Sequence, residues 1–294
     1  MIKSMTGFGR GCSSSSSKKI TVELKSLNSK QFDLSVRVPS AFREFEIEMR
    51  NYVAGKLERG KIEMSVNVEN IGVQATSTIN TPLLAVYKEQ FEKMGAELNL
   101  PDPADWYSLL MRMPDAMKIE AATADEADRN ALTDALHEAV KHLDEFRVQE
   151  GRKLYDFFVS KIKAIEELLD QVAPFEEERV PRIKARLEEQ LSRLTSIEYD
   201  AGRLEQEMIF YIEKLDVNEE KLRLLAHLNY FLETMGGEEF AKEGQGKKLG
   251  FIAQEMGREI NTLGSKSNHA EMQKIVVRMK DNLEQIKEQV LNVL

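Results

Sequence analysis

QFDLSVRVPSAFREFEIEMRNYVAGKLERGKIEMSVNVEN, residues 31–70, decides the fold of the first part of the chain. Phe32, Leu34, Val36 and Val38 alternate with polar residues. Strand side chains point to opposite faces at a period of two, so these four line one face of a strand. Pro39 ends it, Ser40 stands where a cap is needed, and Phe42, Phe45, Met49 and Val53 then recur at helical spacing. Ile62, Met64, Val66 and Val68 alternate again. Working outward, IKSMTGFGR (residues 2–10) and KKITVELKSL (18–27) read as two more strands around the turn GCSSSSS (11–17), whose serines are expected to form a solvated hairpin loop. Three strands, a helix and a strand make a small sheet with a helix on one face.

That order resembles the ribosomal S5 domain 2-like arrangement, although a fold alone assigns no function. After residue 72 the pattern turns helical, and the expected fold class is α+β. Pro101 and Pro103 split residues 77–113 into two helices, with Trp106 in a packing role. From Asp128, Leu132, Leu136, Ala139, Leu143 and Phe146 step by fours and threes, and Leu154, Phe158, Ile162, Ile165, Leu168 and Val172 continue the series. A helix of about 45 residues reaches about 70 Å at 1.5 Å per residue, and is expected as an arm rather than a core helix. Pro174 and Pro181 bracket the turn into a charge-laced helix, read as a solvated face folding back along the first. The expected division is an N-terminal region over 1–155 with its β-rich core in 1–72, a helical arm over 156–208, and an all-helical C-terminal region over 209–294. In the last of these, Met272, Val276, Met279, Leu283, Ile286, Val290 and Val293 keep strict 4-3 spacing, the mark of a helix packed along a partner, in this chain or in another copy.

Composition sets further limits. With 294 residues, 42% hydrophobic and 31% charged, the chain can bury two cores. No apolar run approaches the roughly 20 residues of a membrane span, and the N-terminus lacks a secretory pattern, so a cytoplasmic location is expected. The single cysteine, Cys12, excludes an internal disulfide and a multi-thiolate zinc site. A net charge of −9 argues against a polyanionic partner, yet residues 1–70 carry 12 lysines and arginines against 8 acids, and residues 242–280 carry 8 against 4. Two basic stretches on an acidic body form the pattern of a localised nucleic-acid surface.

Two stretches carry candidate chemistry. Asp216, Glu220, Arg223 and His227, spaced four, three and four, are expected on one helical face, a plausible metal and phosphate face. The same residues also read as a capping box from Asp216 to Glu219, a surface ion pair of Glu220 with Arg223, and a structural histidine. Farther on, Glu255 and Glu259 lie four apart beside Arg258, a carboxylate pair suited to a hard cation such as Mn2+ or Mg2+. Gly264 reads as the stop of that helix, and Asn268 with Glu271 as the capping box of the next. Capping leaves Lys247, Lys248, Arg258, Asn261 and Lys266 unexplained.

IKSMTGFGR, VELKSLNSKQFDLSVRVP, LERGKIEMSV, VQEGRKL, RLEQEM with LDVNEEKLRLLAH, and GKKLGFIAQEMGREINTLGSKS, in that order, resemble the YicC/YloC family of bacterial endoribonucleases. The resemblance implies metal-dependent cleavage of single-stranded RNA, a role in RNA turnover, and a ring-like homo-oligomer, expected as a hexamer. It implies a catalytic set of Glu255, Glu259, Arg258, Asp216, His227 and Arg223, with Glu255, Glu259 and Asp216 on the metal, and RNA contacts from Arg10, Asn28, Lys30, Arg59, Lys61, Asn261 and Lys266. Lys221 stands where the family usually has leucine, and Gly250 and Gly257 where it often has Asp and Asn; His269 lies outside the pattern. Two rival readings are a non-catalytic RNA-binding adaptor that presents RNA to other nucleases, and a C-terminal block that is purely an oligomer interface.

Overall fold

In the computed structural model, the described residues are 2–29, 31–57, 59–71, 77–118, 124–193, 201–237 and 244–294. Strands β1 (Gly7–Ser14), β2 (Lys18–Leu27), β3 (Phe32–Arg37) and β4 (Gly60–Asn70) form one sheet in the order β1-β2-β4-β3. The β1–β2 and β2–β4 pairs are antiparallel, while β3 and β4 are parallel, joined through helix α1 (Glu46–Lys56). The alternation in residues 31–70 therefore holds. Ile20, Val22, Leu24, Ile62, Met64 and Val66 point into a core closed by Phe42, Met49 and Val53. The opposite face of the sheet carries Phe8, Arg10, Lys25, Arg37 and Lys61, all exposed. Two local expectations change. A 3-10 turn, Ser40–Phe45, precedes α1 with Pro39 as its N-cap and no side-chain cap, so Ser40 caps nothing. The first strand begins at Gly7 and runs into the serines; Ser15 Oγ donates to Asp128 Oδ1 at 2.6 Å, so the hairpin is tied down rather than merely solvated.

The larger revision concerns helix α4 (Glu126–Asp170), whose 45 residues match the expected length. It is no arm. Its N-terminal half, through Ala131, Leu132, Ala135, Leu136, Ala139 and Leu143, closes the sheet core, and its C-terminal half, through Phe158, Ile162, Ile165 and Leu168, joins the helical core. The close approach to β1 depends on glycine: a Cβ on Gly11 would sit 2.0 Å from the Ala135 carbonyl oxygen, and one on Gly9 2.1 Å from that of Ala139. Gly11→Ala should therefore push β1 off α4 and lower the unfolding free energy by about 1–3 kcal/mol or more, measurable by urea denaturation. Arg147, 1% exposed, anchors the junction by donating from Nη2 to Ser26 Oγ at 2.6 Å and to the Met5 and Arg59 carbonyls.

In the chain between β4 and α4 come α2 (Thr81–Leu98) and α3 (Trp106–Leu110), split at the prolines as expected, with Trp106 edge-on to Phe91 at 6.4 Å. A two-residue antiparallel pairing of β5 (Thr78–Ile79) with β6 (Met117–Lys118) brackets them, too short for any periodic signal. After α4 come α5 (Ala173–Ser192), α6 (Ala201–Leu215), α7 (Asn218–Gly236), α8 (Gln245–Lys266) and α9 (Ala270–Val290). The 4-3 stripe of α9 is buried throughout, against α8 and α4 of the same chain. The end of the chain then returns to its beginning: Ser4 bridges Val293, the Met5 amide donates to Asn292, and that of Leu294 to Lys3.

Candidate active site

Helix α8 has four distinct sides. Leu249, Ile252, Ala253, Met256, Ile260 and Leu263 fill the helical core. A glycine edge meets α9: a Cβ on Gly246 would lie 2.4 Å from the Val293 carbonyl oxygen, and one on Gly264 2.9 Å from Val276 Cγ1. Gly264 is thus a packing contact inside the helix, which continues to Lys266, rather than its stop. The same contact explains Gly257, where a side chain would press on Leu283 Cδ2 at 3.3 Å. An outer stripe of Phe251, Gln254, Arg258, Asn261 and Ser265 is exposed.

The fourth side faces α7. Gln245 Nε2 donates to the Thr234 carbonyl at 2.6 Å, Lys248 Nζ sits 5.0 Å from the Tyr230 ring centre, and Lys266 Nζ donates to Glu220 Oε1 at 2.8 Å. Numbers rise on α8 as they fall on α7, so the two helices run antiparallel. At about 100° per residue, Lys248, Glu255, Glu259 and Lys266 fall within about 20° of one line along α8. Because the two lysines reach α7, the two carboxylates face it as well. On α7, Glu220, His227 and Thr234 fall within about 40° of a common line, with Arg223 slightly to the outside. Glu255, Glu259 and His227 are each half-buried, as residues at the mouth of a seam should be. By this spacing Arg223 and His227 of α7 and Glu255 and Glu259 of α8 fall on the facing edges of the two helices, between Lys248 over Tyr230 at one end and Lys266 on Glu220 at the other.

Asp216 does not join them. It lies in the turn before α7, where its Oδ1 accepts from the Asn218 amide at 3.1 Å and side chain at 2.8 Å; α7 starts at Asn218 without a side-chain cap, so no capping box forms. Among the described residues no group of three or more His, Cys, Asp or Glu side chains is placed to hold a metal ion. Asp216 instead belongs to a cluster at the foot of the seam. Arg179, 6% exposed, donates to the Lys266 carbonyl at 3.0 Å and to that of Leu215 at 2.8 Å. Burial pulls its guanidinium below the ordinary value, against the opposing influence of Glu176 and Asp216. Lys221, in the usual leucine position, pairs with Glu176 at 3.0 Å. Helix α5, read as a solvated charged face, therefore buries part of its charge, and no hydrophobic period foretold Arg179.

The ion pairs also differ from the sequence reading. Glu220 pairs with Lys266, not with Arg223, which holds Glu219; Glu220 Oε2 is buried with no partner among the described residues. Arg258 pairs with Glu255 at 3.0 Å. The cap of α9 is His269, whose Nδ1 accepts from the Glu271 amide at 3.2 Å while its ring stacks on Phe175 at 5.1 Å, replacing the expected Asn268 box.

Of the N-terminal RNA candidates, Arg10 and Lys61 stand on the open face of the sheet, Arg10 near Glu23 at 3.9 Å. Asn28 donates to the Leu291 carbonyl at 2.6 Å and Arg59 to that of Ser29 at 3.1 Å, so both have structural duties. Lys30 lies outside the described residues.

Chemically, the seam offers two carboxylates on one helical edge, an imidazole opposite, and cations at hand. Magnesium-like ions are commonly held by one or two carboxylates, with water and substrate phosphate completing the shell, so the Glu255–Glu259 pair fits such an ion without a third protein ligand.

Two family models cover nearly the whole chain: "Endoribonuclease YicC-like, N-terminal region" matches residues 2–156, and "Endoribonuclease YicC-like, C-terminal" matches residues 172–294. Two relatives are similar over all of both chains: "Probable endoribonuclease YicC" of Clostridioides difficile, 29% identical over 298 residues, and the protein of that name in Haemophilus influenzae, 31% identical over 307 residues.

Proposed function

From the premise that the chain belongs to the YicC-like endoribonuclease family and is an endoribonuclease, we propose that it cuts single-stranded RNA in the α7–α8 seam, aided by Mn2+ or Mg2+ held by Glu255 and Glu259. What supports this reading is the helical spacing that sets both carboxylates in line with Lys266, whose Nζ reaches Glu220 on the helix that bears His227. A bound divalent cation supplies Lewis-acid activation of the phosphodiester and of the attacking water. Arg223, Arg258 and Lys266 offset charge developing on the phosphorus oxygens, exchanging their present carboxylate partners for the phosphate. His227 moves the proton that the attacking or leaving oxygen exchanges.

Arg10 and Lys61, on the open sheet face, and Asn261, on the outer stripe of α8, would hold the strand by its backbone. The exposed run of Ile209, Phe210, Tyr211 and Ile212 on α6 supports assembly into a homo-oligomer, which the family resemblance makes a hexamer. Among the described residues no helix is long and apolar enough to cross a membrane, and a cytoplasmic role in RNA turnover completes the proposal. Purified protein with an end-labelled single-stranded RNA tests it. Cleavage with Mn2+ that EDTA abolishes is the expected result. Cleavage indifferent to EDTA would remove the cation, and tight binding without any cleavage would favour the adaptor reading.

A further inference from the structure

Phe251 is the one large apolar residue of the outer stripe of α8, and it is 55% exposed. The helix has no packing use for it, since Leu249 and Ile252 on either side already fill the core. Lys247 Nζ lies 5.9 Å from its ring centre. Across the seam Tyr230, 41% exposed, has Lys248 Nζ 5.0 Å from its own. Two exposed aromatic rings, each attended by a lysine, combine the two elements used to hold unpaired nucleotides: a face on which a base stacks and a cation for the adjoining phosphate. Phe251 also precedes Glu255 by four residues, about 6 Å along the helix axis. From Lys247 through Phe251, Gln254, Arg258 and Asn261 to Ser265, the outer stripe is exposed for about 27 Å, and its side chains are otherwise polar or cationic.

We propose that Phe251, with Tyr230 across the seam, is a stacking platform for an unpaired base of the RNA, holding the nucleotide next to the phosphate that is cut. The proposal rests on the seam being the cleavage site. The platform makes the enzyme selective for single strands, because a base paired within a duplex cannot present its face to the ring.

Its test is binding, measured by fluorescence anisotropy in EDTA with a labelled single-stranded RNA, so that cleavage plays no part. Phe251→Ala should weaken binding by about tenfold, within the range found for loss of one stacked base, and Phe251→Trp should restore it. A strand of the same length and charge whose nucleotides lack bases should bind the parent and Phe251→Ala equally. Parent-like binding by Phe251→Ala overturns the platform, as does a fall in oligomer mass with RNA affinity unchanged, which would make the ring an interface with a second copy. Loss of binding in Phe251→Ala when even the parent cuts nothing would uphold the platform and refute the catalytic reading. Equal binding and metal-dependent cutting by parent and variant would do the reverse.

Discussion

Glu255→Gln and Glu259→Gln should each leave the fold and the RNA affinity intact while slowing cleavage by at least about a hundredfold, the scale of roughly 3 kcal/mol of transition-state stabilisation. The substitutions keep shape and remove one negative charge. Among the described residues the ion-pair partner of Glu255 is an exposed Arg258, and exposed pairs of this kind contribute about 0–1 kcal/mol before salt screens them. RNA should bind at least as tightly, since each variant repels phosphate less. A single-turnover assay separates binding from chemistry here. If both variants cut like the parent, the chemistry belongs elsewhere, and the cluster of Asp216, Glu176 and Arg179 at the foot of the seam becomes the next candidate.

The second large effect concerns the scaffold. Val276→Asp combined with Leu283→Asp should abolish cooperative folding of the helical region. Both residues are almost wholly buried, at 1% and 2% exposure, between α9 and α8. Placing an unpaired carboxylate in such a site costs several kcal/mol, and two of them rival the total stability of about 5–15 kcal/mol typical of a domain. Damage should spread to the sheet, because the residues after α9 pair with Lys3 and Met5. Circular dichroism should show lost helicity and no sharp thermal transition. A parent-like melt would mean that another copy, and not α8 and α4, covers the stripe.

The strands of residues 18–70 and the α9 stripe were legible because side-chain periodicity reports directly on a buried face. Glycine sends no such signal. Gly9 and Gly11 read as part of an ordinary strand, although their lack of a Cβ lets α4 lie on the sheet, and Gly264 read as a helix stop although it receives Val276. The role of α4 was hidden for another reason: its spacing shows that one face is buried, but not that the two ends of that face serve different cores. At the site, Glu255 and Glu259 were legible as a pair because both lie inside one helix. The face built from Asp216 failed through a small boundary error. Helix α7 begins two residues later, so Asp216 falls in the turn and the spacing no longer applies to it. Phe251 and Tyr230 escaped notice because one exposed aromatic ring has no period at all, and only the fold shows that the core does without it.

Fe2+ offered in place of Mn2+ or Mg2+ probes directly whether Glu255 and Glu259 hold the proposed cation in the seam. With ascorbate and peroxide, bound Fe2+ releases hydroxyl radicals that cut the nearest backbone. Mapping the fragments should place the cuts near residues 223–227 of α7 and 255–259 of α8, with both clusters lost in Glu255→Gln and Glu259→Gln. Cuts confined to the neighbourhood of Asp216 and Glu176, or unchanged in those variants, would contradict it.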